Sequence, residues 1–134
     1  MPTVSNVNLT LTTVDDRVTI RVRYDVEFTT FERQLTGLGL SYDTHVTIHD
    51  FDGGNDPGAQ VLDFSPGRYT LPVSAGNGSQ TLPGDEQRTV SRSSLQVDPA
   101  GNDDELKAVV VVHANQWLDE YTEGVVSDQE ILRG

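Results

Sequence analysis

The run His49-Asp50-Phe51-Asp52-Gly53-Gly54-Asn55-Asp56 holds the densest chemistry in this chain. Residues 50 to 56 carry three carboxylates and an amide, and two glycines let the backbone turn those oxygens inward. Ca²⁺ takes about six to eight oxygen ligands, so Asp50, Asp52, Asn55 and Asp56 are candidate metal ligands. Asp63, or the acids of the Asp15-Asp16 or Asp103-Asp104 turns, would complete the shell if folding brings them near. The same composition also suits an ordinary solvated turn, and a chain with fourteen aspartates makes many such turns.

From Ile48 to Gly58 the chain resembles the third calcium loop of C2 domains. The residues that carry the likeness are Asp50-Phe51-Asp52, an Asp-aromatic-Asp group closing a strand, and Asn55-Asp56-Pro57-Gly58, a later Asp ahead of a Gly. The resemblance implies that Asp50, Asp52 and Asp56 bind Ca²⁺, which bridges to acidic phospholipids. It covers about eleven residues. The gap between Asp52 and Asp56 is shorter than the family's, and the family's other aspartate loop, with its Ser-Asp-Pro-Tyr-like stretch, has no counterpart here.

Other residues are weaker candidates. His45 and His49 are four apart, which suits zinc on a helix. On a strand the same spacing puts them ~13 Å apart on one face, too far for one metal. His113 approaches either only if strand pairing brings it there. Ser91, Ser93 and Ser94 flank Arg92 without a Gly-x-Ser-x-Gly elbow. Gly37-Leu38-Gly39 lacks the third glycine and the lysine of a phosphate loop. Carboxylate pairs are plentiful, but one Trp and four Tyr are few for a sugar-binding cleft. The sequence points away from catalysis.

Composition narrows the class. The 134 residues suit a single domain, 1–134, that buries roughly two-thirds of its unfolded surface. A net charge of −12 opposes nucleic-acid binding, which needs clustered Lys and Arg, and opposes docking on anionic lipid without a cation. Asp outnumbers Glu two to one and Arg outnumbers Lys eight to one. Such a surface suits a high-salt interior, and high genomic GC content produces the same Arg bias. Without cysteine there is no disulfide frame and no thiolate chemistry. Met1 to Ser5 shows no signal peptide, and no apolar run reaches the ~18 residues of a membrane helix. The expected location is cytoplasmic, or within an assembled particle.

The elements that would position these residues read as strands. Val7, Leu9 and Leu11 alternate with polar residues, as do Val18, Ile20, Val22, Tyr24, Val26 and Phe28. If Asp15-Asp16 is a two-residue turn, facing residues sum to 31, which puts Leu11 opposite Ile20, Leu9 opposite Val22 and Val7 opposite Tyr24. The apolar faces then coincide, and a one-residue slip would destroy the match. Leu38, Leu40 and Tyr42 alternate, and Val46 and Ile48 continue the pattern. Arg68 to Val73 and Thr89 to Val97 read as further strands, with Ser74 to Pro83 between them as a mobile loop or long hairpin. Asp98 to Glu105 reads as a turn. Leu106 to Ala114 is a strand, and Val109 to Val112, apolar on both faces, places it centrally or under a partner. No segment is convincingly helical; Trp117, Leu118 and Tyr121 have helical spacing over one turn at most.

The expected fold is all-β, an antiparallel β-sandwich (Ig-like, C2-like or jelly-roll-like) of about seven or eight strands. The expected function is a non-catalytic interaction or structural module, one subunit of a larger protein assembly such as a particle or filament. Its partners are other protein subunits, copies of itself or heterologous, with no nucleic acid and no direct membrane insertion. No cofactor is required. The alternative is a calcium-dependent ligand-binding module using the Asp50–Asp56 loop. The segment from Trp117 to Leu132 mixes large apolar residues with acids; it packs on its own domain, or reaches a neighbour by adding a strand.

Overall fold

A computed structural model describes residues 2–50, 60–63, 69–95, 104–114, 120–121, 125–127 and 130–132. Two antiparallel sheets face each other across a shared apolar core. The first begins with the hairpin of β1 (Thr3–Val14) and β2 (Arg17–Phe28). Its turn is Asp15-Asp16, with Asp15 at φ 54, a left-handed conformation that Asp tolerates. The register follows the sum-to-31 rule from Val14↔Arg17 through Leu11↔Ile20 to Asn8↔Arg23.

There it breaks. Between Asn8↔Arg23 and Ser5↔Asp25, β1 spends two residues, Asn6 and Val7, opposite Tyr24 alone. This is a β-bulge, and Asn6 adopts φ 53 to make it. The expected Val7–Tyr24 pair is therefore replaced by the bulge. The extra residue also flips the facing pattern, so that Val4 turns inward as Leu9 does, at 7% and 3% exposure.

A short helix follows that the sequence reading did not anticipate, α1 (Thr30–Thr36). It crosses from the first sheet to the second, and the turn after it, with Gly39 at φ 100, occupies residues read as the start of a strand. The strand itself is β3 (Tyr42–Asp50). Next come β4 (Gln60–Asp63) and β5 (Tyr69–Leu71), which pair with opposite ends of β3.

The chain then returns to the first sheet as β6 (Gln80–Ser91), paired along its whole length with β2. This strand begins well before the predicted Thr89 start and closes in a 3-10 turn, Arg92–Ser94. Pro83 ends the Ser74 to Pro83 stretch that reads as a loop, and Gly84 follows it. Both residues are tolerated because β6 is an edge strand, where a proline costs little.

β7 (Asp104–Ala114) pairs with β3 from Tyr42↔Ala114 to Asp50↔Leu106 and is central in the second sheet, as its two-sided apolar run implied. Its other side is taken by β8 (Glu120–Tyr121), β9 (Val125–Val126) and β10 (Glu130–Leu132). β4 and β5 share one flank of β3, and β8 to β10 share one flank of β7. Among the described residues, ten segments thus fill seven strand positions, three in one sheet and four in the other. The described C-terminal strands pack on their own sheet. Buried Ser127 fastens them there: its N–H donates to the Ala108 carbonyl and its Oγ accepts from the Ala108 N–H, both at 2.8 Å.

The core consists of Val18, Ile20, Val22, Tyr24, Val26 and Phe28 against Tyr42, Val46, Ile48, Leu106, Ala108, Val110 and Val112. Each large apolar side chain buried here contributes about 1.5–3 kcal/mol. The Phe28 and Tyr42 rings, 4.9 Å apart and tilted by 56°, close the core at the end where α1 sits. No helix among the described residues is long and apolar enough to cross a membrane.

Candidate functional site

Two ends of the sandwich must be distinguished. β2 runs from the Asp15-Asp16 turn to α1, and β3 runs back from α1 to Asp50. β3 therefore ends at the hairpin pole. β7 starts at this pole too, with Leu106 opposite Asp50 and Asp104 two residues earlier. Of the four proposed calcium ligands, Asp50 alone falls among the described residues; Asp52, Asn55 and Asp56 lie outside them. Asp50 is 3% exposed and shares its face of β3 with Tyr42, Thr44, Val46 and Ile48, so its carboxyl points between the sheets.

The histidines lie on the opposite, outer face of the second sheet. His45 Nε2 is 2.9 Å from Asp63 Oδ1, and His49 Nε2 is 2.8 Å from Thr47 Oγ1. Strand pairing places His113 opposite Asp43 and diagonal to His45, a relation that sequence spacing alone does not reveal. Among the described residues no cluster of three or more His, Asp or Glu is arranged to hold a metal ion. The hydroxyls of Ser91 and Ser94 bond to each other at 2.7 Å.

The α1 pole is a different kind of surface. The helix is pinned at both ends. Thr29 Oγ1 accepts from the Glu32 N–H at 3.3 Å and Glu32 Oε1 accepts from the Thr29 N–H at 2.7 Å, a reciprocal cap that satisfies two end donors. Glu32 is 4% exposed, and its carbonyl accepts from Tyr42 Oη at 3.3 Å. Arg33 donates to the carbonyls of Ser74, Asn77 and Gly78 at 3.0 to 3.1 Å, and the Gly78 N–H donates to Thr30 Oγ1 at 2.8 Å. Leu35 anchors the helix in the core.

Phe31, on this helix, and Leu38, in the turn that follows it, are exposed to solvent at 67% and 72%. They are seven residues apart, and the Leu38 N–H donates to the Leu35 carbonyl at 3.0 Å, which ties the turn to the end of the helix. The third large apolar side chain exposed among the described residues, Val14, is at the hairpin pole. The sequence reading missed this site because it missed the helix. The signal was available: Thr29-x-x-Glu32 is a capping-box pattern.

A shallow groove of about 340 Å³ lies over the bulge on the first sheet, lined by Asn6, Asn8, Arg23, Asp25, Pro83 and Asp85 among others. Asn6 Nδ2 donates across it to Asp25 Oδ2 at 2.9 Å. No family model, no curated protein and no solved structure matches this chain.

Proposed function

We propose that this protein is a non-catalytic interaction module, one subunit of a larger protein assembly, and that the α1 pole is the surface that seats a neighbouring subunit. The observation that carries this reading is the pair Phe31 and Leu38, large apolar groups exposed on a helix with little freedom left and on the turn that follows it. A rigid exposed aromatic beside an aliphatic side chain is the usual form of an interface anchor, because ordering it on binding costs little.

The edges of the first sheet are poorly suited to strand addition. β1 is blunted by its bulge and β6 by Pro83, two devices that discourage strand addition. The β7 side of the second sheet is occupied by the chain's own C-terminal strands. The charge of −12 makes copies of the chain repel one another at low ionic strength, so association between like subunits strengthens as salt screens it.

Light scattering across a range of protein and salt concentrations tests the reading for like subunits. Phe31→Asp and Leu38→Asp are each expected to weaken association by roughly 30-fold, about 2 kcal/mol, while leaving the melting temperature unchanged because both positions are exposed. Association that ignores both substitutions sinks the α1 surface. A chain that stays monomeric throughout ends self-assembly, and chemical cross-linking in its native extract then decides whether Phe31 and Leu38 contact a heterologous subunit.

A further inference from the structure

The inward face of β6 is polar where a sandwich is expected to be apolar. Between partly buried Leu82 and Val90 it carries Gly84, Glu86 and Arg88, and Glu86 is 7% exposed. Tyr24 of β2 and Thr44 of β3 both hydrogen-bond to Glu86, and Tyr24 Oη donates to Thr44 Oγ1 at 2.9 Å. The cluster therefore draws on both sheets and ties them together across the interior. Two residues along β6, Arg88 makes a second tie, donating to the Asp63 carbonyl of β4 at 3.0 Å. Glu86 Oε2 meets no hydrogen-bond partner among the described residues.

Counting protons shows which form of Glu86 this arrangement suits. The three contacts, Glu86 to Tyr24, Tyr24 to Thr44 and Thr44 to Glu86, need three donors. A neutral Glu86 supplies one O–H beside those of Tyr24 and Thr44, so each contact has its proton. An ionised Glu86 leaves two protons for three contacts and puts an unmatched charge in a site shielded from water.

Burial pushes the Glu86 carboxyl up to about 7, opposed by the hydrogen bonds from Tyr24 and Thr44 and aided by the charge of Asp85. Tyr24 faces it from β2 and uncharged Thr44 from β3. Asp85 is its charged neighbour on β6, on the outer face. Asp85 is held below its ordinary value by Arg21, which grips it with two bonds of 2.9 and 2.6 Å.

We propose that Glu86, Tyr24 and Thr44 form a proton-operated clasp between the two sheets, closed while Glu86 is neutral and loosened when it ionises. A glutamate in the unfolded chain ionises near 4.5, whereas Glu86 in the folded chain holds its proton to about 7. Between these values the folded state binds more protons than the unfolded one. The clasp's contribution is therefore complete below pH 4.5, declines as the pH rises, and is gone once the pH has passed through the folded value.

The test is urea unfolding of the unaltered chain and of Glu86→Gln across about pH 4.5 to 8.5, in salt high enough to screen the net charge. The ratio of their folding constants is expected to fall roughly a hundredfold across that range, because the amide cannot ionise. A ratio constant to within about threefold overturns the clasp. If Glu86→Gln does not fold, carbon-13 NMR of the Glu86 carboxyl in the unaltered chain decides the matter. Titration near 7 supports the clasp, and titration in the ordinary glutamate range overturns it.

Discussion

Replacing Gly84 with alanine tests how the interior of the first sheet is built. Gly84 pairs with Tyr24 across the β2–β6 ladder, and the tyrosine ring lies flat over it. A Cβ at position 84 would overlap Cζ and Cε2 of that ring and come within 2.6 Å of Cε1. The backbone is not the obstacle, since the left-handed glycines among the described residues are Gly39 and Gly78. The ring must move, and its hydroxyl then leaves Thr44 and Glu86. Overpacking of this kind costs about 1–3 kcal/mol. Stranding buried polar partners costs about as much again. Gly84→Ala is thus expected to destabilise by about 2–6 kcal/mol, a large share of a domain's usual stability.

A double-mutant cycle separates this cause from a general intolerance at the site. Tyr24→Leu lowers stability by itself, by about 2–4 kcal/mol, but its shorter side chain ends before the overlapping ring atoms. In that background Gly84→Ala should cost less than about 0.5 kcal/mol, or even stabilise, since alanine suits a strand better than glycine. Urea unfolding of the four proteins at one fixed pH gives the coupling energy, expected to exceed about 1.5 kcal/mol. Additive effects would refute the reasoning, as would a Gly84→Ala chain as stable as the parent.

Two further outcomes are expected. Ser127→Ala strands the buried Ala108 N–H and should cost about 1–3 kcal/mol, with amide exchange accelerated at Ala108 ahead of the β2 amides; uniform acceleration would show that Ser127 is no local fastener. Millimolar Ca²⁺ should leave the melting temperature where it is, because Asp50 points between the sheets. A rise that Asp52→Ala abolishes would reverse this, and would make the acidic loop a metal site by linkage.

The pole and the clasp bear differently on assembly. Phe31 and Leu38 concern contact with another subunit, and their effect depends on salt through the net charge. Glu86 concerns the grip of one sheet on the other, and its effect depends on pH. Assembly that strengthens with salt at every pH, alongside stability that falls towards neutral pH, is the combined signature.

What the chain alone determined was its local pairing. Period-2 alternation and a two-residue Asp15-Asp16 turn were enough for the β1–β2 register from Val14 to Asn8, because a slip would turn every apolar side chain to water. The two-sided apolar run likewise announced β7 as a central strand. The capping box at Thr29 was equally legible, but a seven-residue helix is too short for periodicity to reveal. Other features were settled by tertiary contacts. The bulge at Asn6-Val7 breaks a pattern that sequence would continue to the strand end. Pro83 closes a stretch that reads as a loop until β2 supplies a partner, and the Tyr24 ring fills the space beside Gly84. Glu86 is one of seven glutamates, and nothing around it in the chain marks it out. Its position became distinctive when β3 of the other sheet brought Thr44 over it, because desolvation and long-range hydrogen bonding come from packing and have no period in sequence.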